Sequence, residues 1–186
     1  MTAAPVKPTS VAKGTTPIDA RIAVMRTGDR RELAACVTDL ESLSPIAPEL
    51  LAAMQVYLGR ALVVGITGPP GAGKSTLVNA IISAARASQR RVAVIAVDPS
   101  SPISGGAILG DRIRMTAALD DDGVYVRSLS SGGYLGGLSP AAVRIIDALD
   151  AAGFDLILLE TVGTGQSEID VAEVADIRVR SEEHTS

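Results

Sequence analysis

The sequence predicts an α/β fold: a mostly parallel sheet with helices on its faces, preceded by a small helical extension. Three observations carry this. Apolar runs rich in β-branched residues recur at 61–67, 91–98 and 154–160, the continuous pattern of strands buried on both faces. Stretches with helical spacing, 75–88 and 139–152, separate them. Two of the runs end in an acid, Asp98 and Glu160, and in open parallel sheets ligands bind at the carboxyl ends of strands.

A length of 186 residues with 47% hydrophobic content suits one α/β domain with an appendage. The net charge of −4 and the scarcity of aromatics (Tyr57, Tyr125, Tyr134, Phe154) argue against nucleic acid as the main partner. No apolar run approaches a membrane span, and residues 1–17 lack the apolar core of a signal peptide, so a cytoplasmic location without a membrane partner is expected. The single cysteine, Cys36, rules out an internal disulfide, agrees with a reducing compartment and reads as a small core residue.

Residues 1–16, rich in Pro, Thr, Ala and Lys, read as a flexible tail. Residues 17–59 form a helical extension. Asp29 serves as an N-cap with Glu32 three positions on, and Leu33, Ala34, Val37 and Leu40 make one stripe. Pro45 and Pro48 end that helix and open another from Glu49 to about Leu58. Asp19, Arg21, Arg26, Arg30 and Arg31 read as solvated faces without chemistry.

Residues 60–179 form the main, partial domain. Its first strand runs into Gly68, Pro69, Pro70, Gly71, Ala72, Gly73, Lys74, Ser75 and Thr76. Strand, glycine loop and helix in that order are the setting of a phosphate-binding P-loop, so the fold is that of a P-loop NTPase. The glycines let successive N–H groups turn inward around a phosphate. Lys74 reaches the β- and γ-phosphates, the Ser75 hydroxyl ligates Mg²⁺, and the helix N-terminus adds its free N–H groups.

Asp98 ends the second strand, where a carboxylate either holds a Mg²⁺-bound water and positions an attacking one, or caps the turn through Pro99-Ser100-Ser101. The loop 100–110 leads to Asp111, read either as a helix cap or as a polar group near the γ-phosphate. A short strand, Val124 to Ser128, precedes a second glycine-rich loop, 130–137, and a helix with Ser139 as cap and Pro140 at its first position. The strand 154–160 and the following Thr161-Val162-Gly163-Thr164-Gly165-Gln166 have the shape of a Walker B acid and γ-phosphate sensor. Glu160 stands near the metal, Gly163 offers its N–H to the γ-phosphate, and Gln166 is of a type that orients water.

These stretches resemble the MeaB/ArgK family over about residues 18–176. The resemblance lies in the loop at 68–76, Ala96-Val97-Asp98-Pro99-Ser100-Ser101-Pro102, Gly105 to Met115, Leu135-Gly136-Gly137-Leu138-Ser139 and Glu160 to Glu168. Members of that family are GTPases that act as chaperones of adenosylcobalamin-dependent methylmalonyl-CoA mutase; an older label was a transport-system kinase. The resemblance implies phosphate and Mg²⁺ binding by Lys74 and Ser75, switch-region roles for Asp98 and Asp111, and a third phosphate-side motif at Glu160 and Gly163. It also implies slow GTP hydrolysis stimulated by the mutase, and a longer, homodimeric parent, so that the fold is incomplete at the C-terminus. Three departures stand out: Gly132-Gly133 replaces Arg-Gly, Thr164 replaces an apolar residue, and the chain stops before the guanine-reading Asn-Lys-x-Asp and the C-terminal dimerisation arm.

Residues 180–186, Arg-Ser-Glu-Glu-His-Thr-Ser, can be written AGA TCG GAA GAG CAC ACG TCT, a common sequencing-library adapter, so a non-native tail is expected there and His184 is assigned no function. Three alternatives stay open. A nickel-insertion metallochaperone GTPase would normally bring Cys/His ligands, and this chain offers one cysteine, Cys36, and His184 of the expected non-native tail. A small-molecule or transporter kinase needs an acceptor site with its own acid/base pair. A nucleotide-binding fragment without turnover remains the non-enzymatic reading.

Overall fold

The computed structural model describes residues 16–98, 121–130, 140–161, 171 and 173–182. Helices α1 (Pro17–Arg26), α2 (Arg30–Glu41) and α3 (Ala47–Met54), with a 3-10 turn at Gln55–Tyr57, precede the first strand, β1 (Leu62–Thr67). Then follow α4 (Lys74–Ala87), β2 (Val92–Asp98), β3 (Val124–Ser130), α5 (Pro140–Ala151), β4 (Leu156–Thr161) and β5 (Ile177–Arg180). The five strands form one sheet in the order β3-β2-β4-β1-β5, and every pairing is parallel. The expected α/β fold with a parallel sheet is therefore present. Sequence alone left the strand order open, and that order is what makes the site.

Alternation along the strands sends residues to two cores. Val63, Ala93, Ile95, Ile157 and Leu159 join Ile22, Met25, Leu33, Leu40, Leu50, Met54, Ile145 and Leu149 from α1, α2, α3 and α5. Val64, Ile66, Val92, Val94, Leu156 and Leu158 meet Val78 and Ile82 of α4 on the opposite face. Helices thus cover both faces, which is why the strands read as continuous apolar runs. Among the described residues no helix is long and apolar enough to cross a membrane.

The helix starts follow their caps. Thr16 accepts from Asp19 N at 3.1 Å while Asp19 accepts from Thr16 N at 3.0 Å, a reciprocal box that opens α1. Asp29 accepts from Glu32 N at 2.8 Å and opens α2 as expected. The third helix starts two residues earlier than predicted and gives way to the 3-10 turn before Leu58. One edge of the sheet is β5, which pairs with β1 from Val64↔Ile177 to Thr67↔Arg180.

One expectation is overturned. Arg21, Arg26 and Arg30 are half-buried clamps between elements, not solvated faces. Arg21 spans Glu32 at 2.5 Å and Asp39 at 2.9 Å. Arg26 donates to Ala151 O at 2.5 Å and lies 4.0 Å above the Tyr57 ring. Arg30 donates to Val124 O at 2.6 Å. Asp19 and Arg31 are exposed, as expected. The physical reason is the long guanidinium stem, which packs along apolar surface while its fork reaches a carbonyl or carboxylate from a distant part of the chain.

Cys36 is fully buried. Burial pushes its thiol up to about 12, against the opposing pull of the Arg21 charge. Since the thiolate is the reactive form, the native protein should resist a maleimide at pH 8 and react promptly once unfolded in denaturant. Rapid stoichiometric labelling of the folded chain would contradict this placement.

Candidate nucleotide site

The site lies at the carboxyl ends of β1 and β4, which are immediate neighbours in register Ile66↔Glu160. The chain leaves β1 at Thr67, turns through 68–73 and enters α4 at Lys74. Gly73 sits at the helix N-cap position with φ +77, the left-handed region that costs a Cβ-bearing residue energy. Gly68 has φ +144, and a Cβ on it would stand 2.2 Å from the carbonyl oxygen of Ser181. The loop's shape therefore requires both glycines, and the open side of Gly68 also admits Ser181, a residue of the stretch read above as a non-native tail, whose N donates to Thr67 O at 2.8 Å and whose Oγ donates to Ala72 O. Of the remaining loop residues, Pro70, Gly71 and Thr76 are exposed, while Pro69, Ala72 and Ser75 are half-buried. Ala72 N bonds to Pro69 O at 3.3 Å, closing the turn.

Two side chains define the chemistry. Lys74 is only 8% exposed, and its Nζ donates to Pro69 O at 2.8 Å, so the ammonium is held against the loop rather than in solvent. Ser75 Oγ donates to Glu160 Oε1 at 2.8 Å. The hydroxyl proton thus points at the carboxylate, leaving the serine lone pairs for a cation. A hard divalent ion takes oxygen ligands of this kind, with a carboxylate behind them for charge. The donor set fits Mg²⁺.

Asp98 closes β2, beyond the Ala96↔Glu160 pair and opposite Ser130 of β3. Its backbone therefore reaches the same end of the sheet as Glu160. Asp111, Gly163 and Gln166 lie outside the described residues, as do the loops 99–110 and 131–137. The structure thus brings together Lys74, Ser75 and Glu160, with the end of β2 alongside.

Sequence reasoning missed three features around this site. Gly65, in the interior of β1, faces Val171 so closely that a Cβ would stand 2.0 Å from Val171 Cγ1. Thr161, beside Glu160 on β4, is 2% exposed, and its hydroxyl has no hydrogen-bond partner among the described residues. Asp150 and Asp176 take backbone N–H groups on either side of the start of β1. Only Gly65 left a signal, a glycine interrupting a run of Val and Ile.

The family model described as methylmalonyl Co-A mutase-associated GTPase MeaB matches residues 33–184. A putative GTPase of Pyrococcus horikoshii is 49% identical over 160 residues, 86% of this chain and 50% of that protein. GTPase ArgK of Escherichia coli is 44% identical over 156 residues, 82% of this chain and 47% of that protein. The mouse protein named methylmalonic aciduria type A homolog, mitochondrial, is 38% identical over 169 residues and is covered to 40%. A solved structure titled LAO/AO transport system kinase superposes with a TM-score of 0.73 at 33% identity, covering 89% of this chain and 49% of that one. The chain spans about half the length of the curated relatives it matches. It belongs to the MeaB family of methylmalonyl-CoA mutase-associated GTPases.

Proposed function

We propose that this chain is the phosphate-binding part of a GTP-hydrolysing chaperone that assists and protects adenosylcobalamin-dependent methylmalonyl-CoA mutase. The observation that carries the nucleotide reading is the 2.8 Å hydrogen bond from Ser75, in the first turn of α4 and one residue after the buried Lys74, to Glu160 near the end of β4. The family description and the names of the relatives support the choice of GTP and of the mutase. In this reading 17–59 is a helical extension, 60–179 the partial GTPase domain, and the full-length parent a cytoplasmic homodimer.

Mechanistically, the loop 68–76 wraps the β-phosphate with backbone N–H groups while the Lys74 ammonium turns from Pro69 O to the phosphate oxygens. Ser75, with Glu160 and Asp98, would hold Mg²⁺, which would supply positive charge to the phosphate oxygens. Glu160 orients the Ser75 hydroxyl, Asp98 or Asp111 positions the attacking water, and the Gly163 N–H marks the γ-phosphate.

Glu160→Gln tests the metal role. The amide keeps the size of the side chain and a carbonyl acceptor for Ser75 but loses the charge. The Mg²⁺ concentration giving half-maximal binding of a fluorescent GTP analogue should rise by about 10-fold or more. An unchanged Mg²⁺ requirement in the folded variant would remove Glu160 from the metal site. The chaperone role predicts that purified mutase accelerates phosphate release by the full-length parent, measured at saturating GTP.

A further inference from the structure

We infer that Gly65 is a positioning residue for the nucleotide site: its missing side chain lets the helical turn at Val171 rest directly on the strand that carries the phosphate loop. The inference rests on the nucleotide reading above. A Cβ at position 65 would lie 2.0 Å from Val171 Cγ1 and 3.2 Å from Ala175 Cβ, so the turn is seated against strand backbone. Val171 is fully buried there, and its carbonyl accepts from Ala175 N at 3.0 Å. Two further bonds lock the same stretch to β1: Asp176 N donates to Val63 O at 2.9 Å, and Val63 N donates to Asp176 Oδ2 at 2.8 Å.

The sequence setting sharpens the point. Gly65 is flanked by Val63, Val64 and Ile66 and pairs with Leu159 on one side and Arg178 on the other. An interior strand position of this kind favours a β-branched residue, and glycine there marks close approach by another part of the chain. The part that approaches is the return to the sheet of the chain that leaves β4 at Glu160 and Thr161. Gly68 opens the phosphate loop three residues after Gly65. A contact with no slack does not deform continuously. A change at the carboxyl end of β1 is therefore passed to residues 171–176.

Hydrogen exchange on the 186-residue chain tests this, with Mg²⁺ and either a non-hydrolysable GTP analogue or GDP. In the wild type the triphosphate should slow exchange at 68–76 and, on the order of tenfold, at 171–176. Gly65→Ala should keep the slowing at 68–76 and lose it at 171–176. Adding Val171→Ala to that variant removes the clashing methyls and should restore it. Val171→Ala alone, which introduces no clash, should loosen 171–176 and lose the response there, and it carries the test should Gly65→Ala not fold. Full slowing at 171–176 in folded Gly65→Ala, no rescue in the double variant, or no response at 171–176 in the wild type overturns the inference. Absence of slowing at 68–76 in the wild type overturns the nucleotide reading instead.

Discussion

Lys74→Ala should lower affinity for the Mg²⁺ complex of GTP by about 10- to 100-fold, the equivalent of roughly 1.5–3 kcal/mol for a hydrogen bond to a charged group. The fold makes this loss specific. Lys74 opens α4, is 8% exposed, and donates to Pro69 O at 2.8 Å, so its ammonium already lies against the loop proposed to bind the phosphates. Removing it leaves the backbone N–H groups and the Ser75–Glu160 bond in place, so the apo protein should unfold within about 1 kcal/mol of the wild type, the scale of one neutral hydrogen bond. Titration with a fluorescent GTP analogue, alongside a thermal melt, separates the two effects. Lys74→Arg should recover little, because a planar fork does not replace a compact ammonium in a tight loop. Undiminished nucleotide affinity in the folded Ala variant would remove the foundation of the functional reading.

The parts of the fold that were legible in the sequence are those governed by local rules. Burial on both faces leaves unbroken apolar runs, so β1, β2 and β4 showed themselves. Asp29 with Glu32 and Pro48 marked helix starts because capping is decided within four residues. The P-loop was legible for the same reason, its residues being contiguous. Long-range partners were not. Arg26 meets Ala151 and Arg30 meets Val124, about a hundred residues away, and a charge at helical spacing looks the same whether it is solvated or clamped. The Ser75–Glu160 bond depends on β4 lying beside β1, although β2 and β3 intervene in sequence, and periodicity carries no strand order.

Asp150 illustrates the illegible kind, and its replacement should produce the largest loss of stability. It lies on α5, 7% exposed, and the other buried residues of that helix are Ala, Ile and Leu. From there its carboxylate accepts Gly59 N at 2.5 Å, Arg60 N at 3.2 Å and Ala61 N at 2.9 Å. Those three donors belong to the connection that brings the chain from the 3-10 turn into β1. Asp150→Ala strands them together, and losing a charged acceptor for buried or partly buried N–H groups costs about 3 kcal/mol. For a chain of this size that is a fall in Tm of roughly 6–12 °C. Asp150→Asn keeps one carbonyl acceptor but turns an NH2 toward the remaining donors, so it should fall between the wild type and Ala. Asp147, whose carboxyl is raised by burial and then by the Asp150 charge, should titrate lower in either variant. The neighbouring negative charge that disfavours its ionised form is then gone. A melt of Asp150→Ala within about 1 kcal/mol of the wild type would mean that water satisfies the three N–H groups as well as the carboxylate does. The start of β1 would then be held by the Val63–Asp176 bonds and the sheet alone.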